Sequence, residues 1–246
     1  MKRMHFAACL ALLACFASAP SAHADCVPKF VVPTLPETAS SAAGFVVPGW
    51  KMQGLANQDL NGDGIIDIVF VLHDTDKKNI VTIPSTVPCN SGEGDPPVDS
   101  NPHLLVVAFG NPGGKGFHRV LANATFIPRL AQSDMDDPYT GISVKHGTFS
   151  VKLSLFASIG GGSGNDSYTF RFQHNRFELI GYDDVSVDRS TGEVDTTSAD
   201  LISGREKLST GSISDDKSKY TWKTIKNPKT PSIEEIGAAD NYQLPE

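Results

Sequence analysis

The residues best suited to chemistry form a short acidic loop, residues 59–64, which reads Asp-Leu-Asn-Gly-Asp-Gly and precedes an apolar run. Ca²⁺ is a hard cation that binds about six to eight oxygen ligands. Side chains at alternate positions of such a loop turn toward one ion, and glycine permits the sharp turn. We therefore predict a Ca²⁺ site here. Its predicted ligands are the side chains of Asp59, Asn61, Asp63 and Asp67 and the backbone carbonyl of Ile65.

The surroundings of this loop distinguish it from an EF-hand. An EF-hand loop ends in a bidentate glutamate at its twelfth position, and Phe70 stands at that position here. Phe70 belongs to the β-branched run of residues 65–72, which predicts a strand. The site is therefore predicted to join a loop to a strand. The alternative is an acidic Asn-Gly and Asp-Gly turn that binds no metal.

The loop resembles the Asp-rich turn of FG-GAP/VCBS-type repeats, in which a loop of this kind precedes a hydrophobic strand. It occurs once in the chain, so the resemblance implies a calcium loop and no propeller. More broadly, the layout resembles a group of uncharacterised secreted bacterial β-rich proteins. The matching features are the loop and residues 103–109, 168–172 and 179–182. This resemblance implies an exported β-rich protein and no particular activity.

The N-terminus has the three parts of a secretory signal peptide. Basic residues at positions 2 and 3 precede an apolar run over residues 6–16, and a small-residue cleavage motif ends at Ala24. The apolar run is too short to span a bilayer, which needs about 20 residues. We predict a signal peptide over residues 1–24, cleavage after Ala24, and a periplasmic or secreted protein. The alternative is a lipoprotein acylated at Cys15, because residues 12–15 resemble a lipobox.

Charge, hydropathy and cysteine usage limit the possible partners and suggest how the mature chain is crosslinked. The net charge of −7 disfavours a nucleic-acid partner, because an acidic chain repels phosphate backbones. No later segment is long and apolar enough for a transmembrane span. Cys26 and Cys89 are the two cysteines outside the signal peptide. In an oxidising compartment they are predicted to form a disulfide.

The mature chain is predicted to be mainly β, with little helix. Apolar residues alternate over 149–157 and again over 168–172, and short Gly or Asn turns separate these runs. The pattern indicates an antiparallel meander, either sandwich-like or a partly closed sheet. We predict one β-rich domain over residues 25–246, with the calcium loop in residues 43–130 and the meander in residues 141–226.

Most enzyme motifs are missing. The Gly-rich stretches at 110–116 and 160–164 have the spacing of hairpin turns and lack that of a phosphate loop. The histidines form no HExxH motif, and the preferred interpretation places them at the surface or at strand edges. These are His73, His103, His118, His146 and His174. Three aromatic residues, Trp50, Tyr220 and Trp222, are interpreted as core residues, with a ligand-stacking surface as the alternative.

These patterns favour a non-catalytic, secreted or periplasmic, Ca²⁺-stabilised β domain that binds a protein or glycan at the cell envelope. The alternative is a hydrolase that acts on an envelope or extracellular polymer. A third hypothesis is a purely structural envelope component. A convergent pocket with a paired base and nucleophile favours the hydrolase, whereas an open polar surface favours binding.

Overall fold

A computed structural model describes residues 27–83, 96–131, 135–156 and 162–245. Several predictions fall outside the described residues: the signal peptide with cleavage after Ala24, the alternative acylation at Cys15, and the disulfide between Cys26 and Cys89. They stay predictions.

The described chain is mainly β and antiparallel, which confirms the predicted fold class. The strands form a five-stranded sheet, a seven-stranded sheet and a short two-stranded ribbon. The strands are β1 (Thr38–Ala39), β2 (Trp50–Gln58), β3 (Asp67–Asp74), β4 (Ile80–Val81), β5 (Val98–Asp99), β6 (His103–Gly110), β7 (Phe117–Asn123), β8 (Tyr139–Lys145), β9 (Thr148–Phe156), β10 (Gly162–Gln173), β11 (Arg176–Asp188), β12 (Glu193–Asp200), β13 (Arg205–Ser212) and β14 (Asp215–Thr224).

The five-stranded sheet has the order β1-β7-β6-β3-β2, so the two most apolar strands lie at its centre. Every residue of β6 is buried, and β3 is buried except at Asp74. Continuous β-branched and aliphatic runs suit a strand that is covered on both faces. Val71 faces the second sheet, whereas its neighbour Phe70 packs on the other side against Phe45 of the preceding segment.

The seven-stranded sheet is a meander, because β8 to β14 are neighbours in chain order. Its first strands bury one face against the five-stranded sheet, through residues such as Val151 and Phe170. A bulge shifts the β10–β11 register between Thr169 and Phe170. Bulges increase the local twist of a sheet. One of the sheets curls into a half-barrel.

Beyond the core, β12 to β14 are rich in Ser, Thr, Asp and Lys, and nearly all of their described side chains are half-buried or exposed. The chain then returns to the core through Ile225 and Ile233. A short helix, α1 (Ile233–Ile236), begins with a capping box between Ser232 and Glu235. Within the described ranges, no helix has the length and hydropathy needed to cross a membrane.

Candidate functional site

The acidic loop is held by hydrogen bonds between its own side chains and backbone. The Asp59 carboxylate accepts from the N–H groups of Gly62 at 2.7 Å and Gly64 at 2.8 Å. Both glycines have positive φ, 83° and 82°, which residues with a Cβ rarely adopt. The bond from Gly64 contributes most to lowering the pKa of Asp59 below its usual value, so this carboxylate is ionised at neutral pH.

The next two polar residues repeat this pattern. Asn61 Oδ1 accepts from the Asp63 N–H at 2.9 Å, and Asp63 Oδ1 accepts from the Ile65 N–H at 2.7 Å. The Asn61 amide also donates to Asp63 Oδ2 at 3.1 Å. Three side chains at alternate positions therefore turn back onto their own loop, at the surface, where a cation from solvent can reach their oxygens.

Asp67 differs from the other predicted ligands because it is fully buried. Its carboxylate accepts from the N–H of Leu60 at 2.7 Å and from the N–H of Gly110 at 2.9 Å. Burial raises the pKa of Asp67 despite these two bonds, and the negative charge of Asp63 adds to the increase. Asp67 thus links the loop to the last residue of β6.

A second polar cluster lies where the sequence predicted no site. His73 near the end of β3 and His103 at the start of β6 are opposite each other in the antiparallel register. Their rings stack with centroids 4.4 Å apart and planes inclined by 13°. The two residues are only 4% and 2% exposed and lie on interior strands, so the interpretation of these two histidines as surface or strand-edge groups was wrong. His118, His146 and His174 are exposed, as predicted.

All four ring nitrogens of this histidine pair are buried and without a hydrogen-bond partner. Burial, reinforced by repulsion from His103, lowers the pKa of His73, which keeps its ring neutral at neutral pH. Buried polar atoms are nearly always satisfied in native proteins, so four such nitrogens side by side require a partner.

Two carboxylates flank the pair. Asp137 Oδ2 is 3.5 Å from His103 Nε2, and Asp99 Oδ1 is 4.0 Å from His73 Nε2. Burial acts to raise the pKa of Asp137, but the neighbouring His103 imidazole and the N–H of Tyr139 outweigh it and hold the pKa below its usual value. His73, His103 and Asp137 each place one potential ligand atom within 4.8 Å of the others. Among the described residues, the carboxylates of the acidic loop do not converge to that degree.

Comparison of the chain with protein-family models, curated proteins and solved structures finds no match.

A third feature is an exposed aromatic pair on β14. Tyr220 and Trp222 are 61% and 51% exposed, so the interpretation of these two residues as core was wrong. They lie on the same face of the strand, because side chains two residues apart point the same way. Trp50, in contrast, is half-buried and packs against the core between the first sheet and residues 35–47.

Cations and hydroxyl groups surround the aromatic pair. The Arg205 guanidinium lies 4.3 Å from the centroid of Trp222, and the Lys207 ammonium lies 4.8 Å from that of Tyr220. The adjoining groove is lined by further hydroxyl groups and by Lys217. Asp215 also lines this groove. We call Tyr220, Trp222, Arg205, Lys207 and Lys217 the aromatic–cationic face. The sequence signal for it was present in the two aromatic residues of an otherwise polar strand.

Proposed function

We propose that the protein is a non-catalytic, periplasmic or secreted, calcium-stabilised β domain that binds an anionic glycan of the cell envelope through its aromatic–cationic face. The exposure of Tyr220 and Trp222 on an open, polar part of the sheet carries this proposal. Large aromatic rings are rarely left in solvent by chance when they lie side by side, and such patches are typical of binding surfaces.

The chemistry of the face suits a sugar polymer. The C–H faces of sugar rings pack against aromatic rings, and Ser and Thr hydroxyl groups can both donate and accept hydrogen bonds with sugar hydroxyls. Thr196, Ser198 and Ser209 provide such groups in the groove. An elongated polymer also fits an open strand face better than it fits an enclosed pocket.

The charge of the face favours an anionic polymer over a neutral one. Arg205 and Lys207 contact the aromatic rings, and Lys217 extends the positive charge along the groove. These cations are clustered on one face although the whole chain has a net charge of −7. Guanidinium and ammonium groups bind carboxylates and phosphates through charge-assisted hydrogen bonds.

The acidic loop supports the calcium part of the proposal. Asp59, Asn61 and Asp63 present hard oxygen donors at alternate positions of an exposed, glycine-shaped loop. Such donors match the preference of Ca²⁺ for oxygen. Asp67, which is tied to two backbone N–H groups, retains lone pairs that can bind an ion.

Glycan binding can be tested by fluorescence, because the chain has two tryptophans. In the exported protein, Trp50→Phe leaves Trp222 as the only tryptophan. Titration of this variant with alginate, a polymer of uronic acids, should change the Trp222 emission, whereas neutral dextran should not. Trp222→Ala and Tyr220→Ala should each weaken retention on immobilised alginate, and Trp50→Phe should retain wild-type binding.

Two results would overturn the glycan assignment. One is unchanged retention of both alanine variants on alginate and on isolated envelope polysaccharide. The other is a protein, and no glycan, crosslinked to the face in the native envelope. The appearance of new reducing ends in alginate or envelope polysaccharide would instead favour the hydrolase.

A further inference from the structure

We infer that His73, His103 and Asp137 form a binding site for a divalent transition-metal ion of the Zn²⁺ class, separate from the proposed calcium loop and from the aromatic–cationic face. The two imidazoles and the carboxylate come from three separate segments of the chain and place one potential ligand atom each within 4.8 Å of one another.

The position of the histidines in the core is the first argument. In β3, His73 follows Val69 and Val71 at two-residue spacing and points toward the second sheet, as they do. His103 stands at the corresponding end of β6, opposite His73. Two polar rings therefore occupy core positions that aliphatic side chains fill elsewhere in these strands. Burying an imidazole without a hydrogen bond is costly, so both rings require a polar partner.

The ring nitrogens provide the second argument. All four are buried without a hydrogen-bond partner, and the stacked rings, 4.4 Å apart, are too nearly parallel to bond to each other. A metal ion satisfies one nitrogen of each ring at once. Neutral imidazole is a common ligand of Zn²⁺, and two histidines with one carboxylate are a frequent ligand set for divalent transition metals.

Asp137 supplies the charged ligand and the route from solvent. Its side chain is 39% exposed, whereas both histidines are buried, so the carboxylate lies at the mouth of the site. The Tyr139 N–H donates to Asp137 Oδ1 at 3.0 Å, which fixes the carboxylate. Asp137 Oδ2 lies toward His103 and also accepts a 3.5 Å hydrogen bond from the Gln53 side-chain amide. Asp99, 4.0 Å from His73, adds negative charge on the other side. Hydrogen bonds from neighbouring groups, such as that from the Tyr139 N–H, orient the ligands of metal sites.

The ligand set selects against the ion proposed for the acidic loop. Ca²⁺ and Mg²⁺ prefer oxygen ligands throughout, whereas imidazole suits Zn²⁺ and its neighbours in the first transition row. Three protein ligands leave a fourth tetrahedral position for water or a solute molecule. The two metal sites are thus expected to be chemically independent.

The test uses the exported protein, stripped with a chelator, dialysed and titrated with Zn²⁺ by calorimetry. We expect one Zn²⁺ per chain, an increase in melting temperature on binding, and no comparable binding of Mg²⁺. Co²⁺ should bind at the same site and give visible d–d absorption with a histidine-dependent intensity.

Substitutions assign the ion to this site. His103→Gln should abolish stoichiometric Zn²⁺ binding. Asp137→Asn should weaken Zn²⁺ binding by at least about tenfold. Because this side chain is partly exposed, the variant should fold even if the His103 variant does not, and the test then rests on it. His118→Gln, at an exposed histidine, and Asp63→Asn, in the acidic loop, should bind Zn²⁺ like wild type. The inference is overturned if wild type binds no Zn²⁺, or if a folded Asp137→Asn variant binds it as tightly as wild type.

Discussion

The carboxylate of Asp67 accepts a hydrogen bond of 2.9 Å from the backbone N–H of Gly110, although 43 residues separate them in sequence. A second bond, from the Leu60 N–H at 2.7 Å, ties the same carboxylate to the acidic loop. Gly110 has to be glycine for this contact, because a Cβ there would collide with the Ile66 carbonyl and the Ile65 side chain. The loop is thereby fastened to the end of the central strand β6.

We expect Asp67→Asn to destabilise the metal-free protein by about 1–3 kcal/mol. An amide has only one acceptor oxygen, so the change leaves a buried N–H without an acceptor and places an NH₂ group against it. Urea denaturation in the presence of chelator measures the loss. Asp63→Asn, at an exposed position in the same loop, is the control and should cost much less. Equal losses in the two variants would contradict a structural role for Asp67.

Calcium is expected to raise the melting temperature of the wild-type protein. Ion binding relieves repulsion among the loop carboxylates in the folded state only, so it stabilises by mass action. At about 100 times the dissociation constant the gain is about 2.7 kcal/mol. The effect is expected near millimolar Ca²⁺, the range of extracellular modules, and Mg²⁺ should have less effect.

Asp63→Ala should remove this Ca²⁺-dependent increase and leave the metal-free fold intact. Differential scanning calorimetry of the wild type and of Asp63→Ala, first with chelator and then with several millimolar Ca²⁺, measures the change in melting temperature. Identical wild-type melting in the two conditions, with no binding heat, would show that the loop is an acidic turn without a metal.

The pair Asp166 and Asp184 should make stability depend on pH. The two residues lie opposite each other on β10 and β11. Burial, reinforced by Asp166, raises the pKa of Asp184 to about 6. Because the folded protein binds this proton more tightly than the unfolded chain, the stabilisation is complete below the ordinary Asp pKa and is lost as the pH rises through about 6.

Asp184→Asn should therefore increase the melting temperature more at pH 7.5 than at pH 5. The measurement is the difference in melting temperature between variant and wild type at each pH in this range. This difference separates the contribution of Asp184 from that of the other carboxylates. Asp183→Asn, at the exposed neighbouring position, is the control. A difference that does not change with pH would contradict this prediction.

Gly54 and Tyr139 should show strong energetic coupling. A Cβ on Gly54 would overlap the Tyr139 hydroxyl oxygen, which is buried and has no hydrogen-bond partner. Gly54→Ala should therefore cost about 1–3 kcal/mol through overpacking. In a Tyr139→Phe background the same change should cost much less, because the obstructing atom is gone. A double-mutant cycle from chemical denaturation, run with chelator, measures the coupling. Additive losses would argue against the contact.

The N-terminal predictions can be checked on exported protein by mass spectrometry. The mature chain is expected to begin at Asp25, after cleavage at Ala24. Alkylation without reduction should label neither Cys26 nor Cys89, because the predicted disulfide joins them. A lipid on Cys15 would instead identify the protein as an anchored lipoprotein. Two labelled thiols in folded protein would exclude the disulfide.

Much of the fold follows from local patterns. Alternation over residues 149–157 and 168–172 predicted the antiparallel pairing of β9 and β10, because period-two patterning and short turns leave few other arrangements. The β-branched run after the acidic loop predicted a strand, and β3 lies there. The sequence likewise placed glycines at the loop positions that have positive φ, since Asp and Asn with intervening glycines favour such turns.

The candidate sites depended on contacts that no local pattern encodes. His73 and His103 look like isolated residues in the sequence, and only the β3–β6 register stacks them. The buried carboxylate of Asp67 is satisfied by an N–H that Gly110 supplies from a distant strand. Tyr220 and Trp222 are exposed because β14 lies at the edge of a sheet that extends past the core. The sequence alone determined the strands with clear apolar patterns and the Gly-rich turns between them, because periodicity and turn chemistry are local. Which polar side chains became buried, paired or exposed was decided by tertiary packing, because burial is set by elements far away in the chain.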